Sequence, residues 1–422
     1  MKPWQLLVHG RELVEEYPKA FRNLVIITLI DHLGGALLFP FFALYITSKF
    51  NVGMTQVGIL FAAFSFSSFI GSTIGGALTD RIGRRGMLIF SLVSTSLSSV
   101  AMGLVNSLDV FYAFALLVGI FTDTGGPARN AMVADLLPKE KHAQGYGIIR
   151  VAFNVSAAIG PAIGGFLATR SYLSLFLADA AISIVSAFFV WKTLPETKPE
   201  RSEGEPQESL GSTFMGYLTV FKDSHFMVFL LACVLMGLVY MNLGTTLGVY
   251  LRDVQAVPES GYGFILSLNA VMVVLMQFWI TRRIEGYPPM LIMAIGTFLY
   301  AAGFAMYGFV SIYALFLFAM VVITIGEMLV APVSQAIVAR FASEQMRGRY
   351  MAVFGFSYGI PFAVGPLLAG IVLDNLDPRI LWWSAGLVGL LAVAIFMRLH
   401  QTAQIELQVN AVDEGTAPTP YP

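Results

Sequence analysis

Cysteine and charge are both scarce in this 422-residue sequence. The single cysteine, Cys233, excludes an internal disulfide and a cysteine-based metal cluster. Charged residues make up 12% of the chain, against about 25% in soluble proteins. The net charge of −1 provides no positive field for nucleic acid. A chain that is 57% hydrophobic and so poor in charge cannot cover a soluble surface of this size, which leaves an integral membrane protein.

Catalytic motifs are missing as well. The sequence contains no H-E-x-x-H, G-x-S-x-G or phosphate-loop pattern, and its five histidines are scattered. We therefore expect no enzymatic activity, no metal site and no cofactor. A membrane enzyme or a non-transporting receptor is the alternative from another class. Turnover of a lipid would favour the enzyme, and absence of solute flux would favour the receptor.

Long apolar runs are what the sequence has in abundance. Twelve runs reach the ~20 residues that a membrane-spanning helix needs. Lipid offers the backbone no hydrogen-bond partners, so runs of this length must be helices, and they are too long for barrel strands. The predicted fold class is all-α integral membrane protein with twelve transmembrane helices, at 23–46, 56–79, 87–106, 110–134, 145–168, 172–193, 225–250, 260–281, 288–309, 311–337, 351–373 and 379–398.

The distribution of Lys and Arg predicts the orientation. With the N-terminus in the cytoplasm, twenty of the 25 basic residues lie on that side, four lie on the other, and Arg129 falls within a span. A multi-pass cell (inner) membrane protein with both termini cytoplasmic is expected. A Pro-, Glu- and Ser-rich stretch predicts a flexible linker between two halves. The predicted segments are 1–21 (cytoplasmic), 22–194 (first bundle), 195–222 (linker), 223–400 (second bundle) and 401–422 (disordered tail).

An internal repeat relates the two halves. A shift of 205 residues places Pro127 on Pro332 and Gly160-Pro161 on Gly365-Pro366. Six spans followed by six related spans predict two six-helix bundles about a pseudo-twofold axis.

The break between spans 2 and 3 runs from Gly76 to Leu88 and reads GALTDRIGRRGML. It resembles the G-x-L-x-D-R-x-G-R-R-x-x-L signature of the major facilitator superfamily. The resemblance implies a cytoplasmic gate in which Asp80 acts at the junction with the second bundle and Arg84 pairs with an acid ending span 4, for which Asp135 is the candidate. In the corresponding loop of the second half, Arg283 occupies the position equivalent to Asp80. The resemblance therefore implies no gate role for that loop. The implied gate residues are Gly76, Asp80, Arg81, Gly83, Arg84, Arg85 and Asp135.

Two further motifs resemble the drug:proton antiporter branch of that family. Span 5 contains the G-P-x-x-G-G pattern in Gly160, Pro161, Gly164 and Gly165, which favours close helix packing and a bend. In span 1, Asp31 precedes a glycine pair and a proline, which is similar to the first span of tetracycline and multidrug exporters. The arginine that those exporters often carry early in span 4 is absent, because Ala115 occupies that place.

Three carboxylates lie at similar depth. Helical rise places Asp31, Asp123 and Glu327 ~13, ~18 and ~20 Å from the cytoplasmic surface. Charge is costly there unless it faces a cavity or a partner. The family fold lines its central cavity with spans 1, 4, 7 and 10, and these acids lie on three of them. We expect Asp31 and Glu327, then Asp123, to carry protons. A structural acid bonded to a neighbouring span is the alternative, and Asp179 is expected to be one.

Polar and aromatic residues on the same helical faces predict a substrate cavity. Arg129 and Arg150 either recognise an anionic group or pair with Asp135, Asp123 or the gate loop. A cavity of Phe, Met and Tyr suits a lipophilic solute, including a cationic one. Its predicted lining is Phe42, Tyr45, Arg129, Arg150, Asn154, Tyr240, Asn242, Asn269, Met276, Gln277, Ser334, Gln335 and Tyr358.

The function expected from these features is proton-coupled export of lipophilic small molecules by alternating access. The expected partners are a small-molecule substrate, protons and the lipid bilayer, without nucleic acid, and the protein is expected to be a monomer. A symporter or uniporter for a metabolite, sugar or lipid is the first alternative. Substrate-dependent proton flux, and its direction, would separate the two.

Overall fold

The computed structural model describes residues 17–122, 124–138, 141–198, 217–342 and 346–413. Within these ranges, the side chains of residues 73, 76, 77, 80, 122, 143, 347 and 403–413 are not described. Secondary structure in this part of the chain is helical throughout, and twelve segments are long and apolar enough to cross a membrane. The predicted all-α class with twelve spans is therefore confirmed.

The spans, numbered 1 to 12 in chain order, are Lys19–Phe50, Met54–Ser72, Arg84–Leu104, Leu108–Leu136, Gln144–Ala168, Tyr172–Thr193, Ser224–Thr245, Glu259–Ile284, Pro289–Met306, Tyr313–Phe341, Gly348–Asn375 and Pro378–Thr402. Several helices extend beyond their spans: the helix of span 2 continues to Ile82, the helix of span 5 begins at His142, and the helix of span 12 continues to Asp413. Span 4 consists of two helices, Leu108–Thr122 and Gly125–Leu136, and span 11 of Arg347–Phe354 and Phe356–Asn375.

Spans 1 and 7 are interrupted at matching places. Span 1 changes from an α-helix, Lys19–Leu38, to a 3₁₀ turn at Phe39–Phe41 and back to the helix Phe42–Phe50. Pro40 lies in that turn, and its missing N–H and fixed φ prevent the regular α-helical bond. The helix of span 7 ends at Thr245, 205 residues after Pro40, and a second helix, Leu247–Gln255, follows.

The helices form two compact units. The first consists of the described residues within Met1–Asn51, Ala63–Glu205 and Pro258–Ala270, and the second of those within Val52–Ala62, Pro206–Val257 and Val271–Pro422. In the first unit, span 1 packs mainly on spans 5 and 6, and span 3 on spans 6 and 4. In the second, span 7 packs mainly on spans 11 and 12, and span 9 on spans 12 and 10. The same pairing thus recurs six spans later, as a sequence repeat requires.

One close backbone contact also occurs in both units. In the first unit, a Cβ built on Gly263 would lie 2.3 Å from the carbonyl oxygen of Pro161. In the second, a Cβ on Gly58 would lie 2.8 Å from the carbonyl carbon of Pro366. The 205-residue shift relates Gly58 to Gly263 and Pro161 to Pro366. These contacts explain why the first turns of spans 2 and 8 belong to a different unit from the rest of their helices.

The glycines of span 5 lie against span 1. A Cβ on Gly160 would be 2.5 Å from the Cβ of Ala36, and one on Gly164 would be 2.3 Å from the carbonyl oxygen of Leu37. The Ser156 hydroxyl, one turn earlier, donates to the carbonyl oxygen of Leu29 at 2.7 Å. Small side chains therefore allow the two backbones to approach closely, as in other membrane helix pairs.

The ends of the predicted linker and tail differ from expectation. Residues 217–222 are helical, and Val220 is fully buried, so the predicted linker 195–222 includes the start of the second half. Residues 195–198 pack against the loop between spans 2 and 3, as described below. The last helix continues to Asp413 rather than ending near residue 400, because no Gly or Pro interrupts 401–413. Residues 199–216 and 414–422 lie outside the described part.

Replacing Gly164 by Ala is expected to destabilise the first unit by about 1–3 kcal/mol, because the added methyl would overlap the backbone of span 1. Gly147→Ala in the same helix is the matched control, since nothing lies within 4 Å of a Cβ there. Thermal unfolding of the detergent-purified variants measures the difference. Equal midpoints for the two variants would contradict this account of the packing.

Candidate functional site

An ion pair joins spans 1 and 4 inside the first unit. Nη2 of Arg129 lies 2.8 Å from Oδ2 of Asp31, and the two side chains are only 17% and 16% exposed. At membrane depth neither charge is tolerated alone, so each neutralises the other. The contact is a charge-assisted hydrogen bond, and protonation of Asp31 would weaken it by removing the negative charge.

Aromatic contacts hold the guanidinium in place. Arg129 lies over the ring of Phe153 in span 5, 5.9 Å from its centroid. His32, next to Asp31, packs on the same phenylalanine, with its ring centroid 4.3 Å from that of Phe153. Arg129 is therefore attracted both by a carboxylate and by the face of an aromatic ring.

The partner of Arg129 differs from the expected one. The sequence suggested an anionic ligand, or Asp135, Asp123 or the gate loop, whereas the structure pairs this arginine with Asp31, 98 residues away. Periodicity along one helix carries no information about which face of another span it meets. Asp123 lies outside the described residues, so its role as a proton carrier stays a prediction.

A second acid lies behind Asp31. Asp179 in span 6 is 4% exposed and accepts a short hydrogen bond from the Ser99 hydroxyl of span 3. Its carboxylate packs directly on span 1, where a Cβ on Gly34 would lie 2.6 Å from Oδ1. Asp31 is an electrostatic neighbour of Asp179. No ion pair to Asp179 occurs among the residues that the structure describes.

In the second unit, Glu327 of span 10 lies among tyrosines. The Tyr240 hydroxyl of span 7 donates a hydrogen bond to Glu327, and Tyr358 interacts electrostatically with Tyr240. Tyr300 of span 9 interacts with Glu327 and packs on Tyr240, with ring centroids 5.3 Å apart. Sequence analysis identified Glu327, Tyr240 and Tyr358 but missed Tyr300, because span 9 has no charged residue to mark a polar face. We call these four residues the tyrosine cluster.

The other predicted cavity residues have varied surroundings. Tyr45, Asn242 and Ser334 are buried and bond to backbone carbonyls, so the structure places them inside the units. Phe42 packs on Phe111 and Phe176 in the same aromatic cluster as Tyr45. Those that are partly or well exposed are Arg150, Asn154, Asn269, Met276, Gln277 and Gln335.

The predicted contact in the loop between spans 2 and 3 is present. Nε of Arg84 lies 3.1 Å from Oδ2 of Asp135 at the end of span 4. The Arg84 side chain is 10% exposed, which makes this pair more than a surface contact. Gly83, with φ of 111°, allows the turn between the two helices. The side chains of Gly76 and Asp80 are not among those described, and Arg81 is exposed.

Glu196, which the sequence placed in a flexible linker, caps the helix of span 3. Its Oε1 accepts the backbone N–H of Arg84 at 2.8 Å, and its Oε2 accepts that of Arg85 at 3.2 Å. The neighbouring Thr197 donates to the same Asp135 oxygen as Arg84, at 2.9 Å. A carboxylate at a helix N-terminus satisfies unpaired N–H groups and favours the helix dipole. The residues after span 6 thus hold the loop after span 2.

Twelve spans, a buried acid–arginine pair and a second buried acid define a class of protein: the polytopic helical transporters. The chain belongs to the Major Facilitator Superfamily, whose family model matches residues 24–331 and again 256–419.

Comparison with known proteins agrees with this assignment. The chain is 26% identical over 359 residues to a Na(+), Li(+), K(+)/H(+) antiporter of Planococcus maritimus, covering 78% of this chain and 84% of that protein. It is 23% identical over 400 residues to the class B tetracycline resistance protein of Escherichia coli, covering 93% and 98%. The solved structure of a point mutant of the nucleoside transporter NupG has the same fold, with a TM-score of 0.77 at 13% identity over 90% of this chain and 99% of that one.

Glu196→Ala is expected to lower stability by about 1 kcal/mol, because two N–H groups at the start of span 3 lose their acceptor. Glu285→Ala removes an exposed carboxylate after span 8 and serves as the control. Thermal unfolding measures both, and hydrogen exchange should rise at Arg84 and Arg85 in the first variant only. Unchanged exchange at these amides would contradict the capping role.

Proposed function

We propose that this chain is a proton-coupled exporter of lipophilic small molecules that works by alternating access. The observation that carries the proposal is the contact between Asp31 and Arg129 at membrane depth. A carboxyl group in such a position exists in two forms with very different interactions. Ionised, it binds the guanidinium; protonated, it leaves Arg129 without its counter-charge.

The energy involved is large enough to drive a conformational equilibrium. Loss of one partner from a buried ion pair costs about 3–5 kcal/mol. A change of that size between two states shifts their population ratio by two to four orders of magnitude. In the proposed cycle Asp31 takes up a proton when it is open to the outside. It then gives the proton up and pairs with Arg129 again once it is open to the cytoplasm.

The tyrosine cluster in the second unit is the proposed place of solute recognition. Aromatic rings supply apolar area for a lipophilic molecule, and the Glu327 carboxylate, bonded by Tyr240, favours a positive group on it. Glu327 also remains a proposed proton carrier, because the same carboxyl can hold either a proton or a cationic group.

Similarity to other proteins supports the coupling ion. The Planococcus maritimus relative is named as an antiporter that exchanges cations for H+. The distribution of basic residues supports a multi-pass cell-membrane protein with both termini in the cytoplasm. In that orientation the contact between Arg84 and Asp135, held by Glu196 and Thr197, is the proposed cytoplasmic gate.

Proteoliposomes with an imposed pH gradient test the coupling. We expect ethidium or tetracycline added to the wild type to dissipate the gradient, read by a pH-sensitive dye inside the vesicles. Asp31→Asn should reduce this proton flux by at least tenfold, because Asn cannot take up and release a proton. Asp253→Asn, which changes an exposed acid paired with its neighbour Arg252, is the matched control. Wild-type flux in the Asp31 variant, or solute uptake without proton movement, would refute proton coupling.

Removing the charge of the tyrosine cluster tests solute recognition. Glu327→Gln is expected to weaken ethidium binding about tenfold or more, since ~1.4 kcal/mol of charge attraction corresponds to a factor of ten. Tetracycline, a zwitterion without net positive charge at neutral pH, serves as the comparison solute and should lose less. Fluorescence titration of the purified protein gives both affinities. Equal losses for the two solutes would indicate that Glu327 does not recognise charge.

A further inference from the structure

Small polar groups line the contact among spans 1, 3 and 6 in the first unit. On span 6, Asp179, Ser183 and Ser186 recur at intervals of four and three residues and so share one helical face. All three are buried, with 4%, 1% and 0% exposure. Ser99 of span 3 bonds to Asp179, and Gly34 of span 1 lies against it. This is an unusual concentration of oxygen atoms for the interior of a membrane bundle.

Ser183 differs from most hydroxyl groups in the spans. Hydroxyls in membrane helices commonly donate to the carbonyl oxygen four residues earlier, and six threonines of the described helices do so: Thr47, Thr79, Thr193, Thr245, Thr324 and Thr402. The Ser183 hydroxyl makes no such bond and has no hydrogen-bond partner among the described residues. A buried hydroxyl in that position is unfavourable unless something else engages its oxygen.

The charge of Asp179 also lacks a counter-charge. Arg129 is engaged by Asp31, and the charged group that acts electrostatically on Asp179 is Asp31, which is another acid. The other titratable group of this stretch of span 1, His32, packs on Phe153 of span 5. The part of span 3 that bonds to Asp179 has only serine and threonine hydroxyls as polar side-chain groups and no charged residue. An ionised carboxylate this deep is therefore neutralised either by a proton or by a bound cation.

The arrangement of oxygen atoms discriminates between a proton and a metal cation. A proton on Asp179 would neutralise the carboxylate but would leave the Ser183 hydroxyl without a partner among the described residues. A hard cation needs several oxygen ligands around it, which carboxylate and hydroxyl groups supply. The Ser183 hydroxyl lies one turn from Asp179 on the same face, ~6 Å along the axis. Side chains one turn apart on the same helical face are neighbours and can approach a common ligand.

We infer that the carboxylate of Asp179, with the hydroxyl oxygens of Ser99 and Ser183, forms a binding site for a small alkali cation, Na+ or Li+. The bound ion replaces a proton: Asp179–COOH and Na+ give Asp179–COO−·Na+ and H+, so one O–H bond breaks, ionic contacts to oxygen form, and nothing is oxidised or reduced. The site lies within one unit and is independent of which solute is exported.

Ser186 provides an internal comparison. It is as buried as Ser183, lies on the same face and also lacks a hydrogen-bond partner among the described residues. It lies ~10 Å along the helix from Asp179, which is too far to share an ion with it. The inferred site therefore depends on Ser183 but not on Ser186.

Thermal unfolding of the full-length, detergent-purified protein tests the site without transport. The salts compared are NaCl, LiCl and choline chloride at equal ionic strength. We expect Na+ or Li+ to raise the unfolding midpoint by several degrees over choline, with a larger shift at alkaline pH, where protons compete less. Asp179→Asn and Ser183→Ala should lose the shift, and Ser186→Ala should keep it.

Several results would overturn the inference. One is an equal unfolding midpoint for the wild-type protein in NaCl, LiCl and choline chloride. That result would include the case in which Asp179 affects stability only through pH and therefore holds only a proton. Another is a full Na+ shift in Asp179→Asn. If that variant does not fold, Ser183→Ala decides, because it removes a group with no bond to lose, and equilibrium binding of radioactive Na+ gives the same comparison directly. Failure of solute-driven proton flux would leave these outcomes unchanged, so the two proposals fail separately.

Discussion

Neutralising buried charge is the constraint on which the interior of this protein depends. A bilayer cannot solvate an acid, so each carboxylate at depth must find its partner within the protein. Asp31 has Arg129, and Glu327 has the hydroxyl of Tyr240. Asp179 has only the hydroxyl of Ser99 and an acidic neighbour. These differences in partner give the three buried acids distinct chemistry.

Close helix packing makes that chemistry possible. Gly160 and Gly164 bring span 5 onto span 1, and Gly34 brings span 1 onto the carboxylate of Asp179. The proposed alternating-access cycle requires such packing to persist while the proposed gate opens and closes. Rigid contacts within each unit satisfy that need, because the strongest helix pairings recur in both units in the same order. Packing and charge are therefore coupled: a methyl group added at a glycine would also move an acid away from its partner.

The loop after span 2 shows how a short polar segment is held in one conformation. Arg84 and Thr197 share one oxygen of Asp135, while Glu196 accepts the first N–H groups of span 3. The family signature accounts for the arginine and the acid. It does not account for Glu196, which comes from beyond span 6. A charged loop at the membrane surface thus depends on a residue far away in the sequence, and changes after span 6 can affect it.

Length and hydropathy alone determined the twelve helices, because lipid forces long apolar runs to satisfy their own hydrogen bonds. The 205-residue repeat likewise predicted matching helix pairs, and glycine and proline marked where backbones approach. Only the tertiary structure decided that Arg129 faces Asp31, that Tyr300 joins Glu327, and that Asp179 lies behind Asp31. Each of these depends on how one helix is rotated against another. That rotation is set by the summed packing of many side chains, which no single motif in the sequence records.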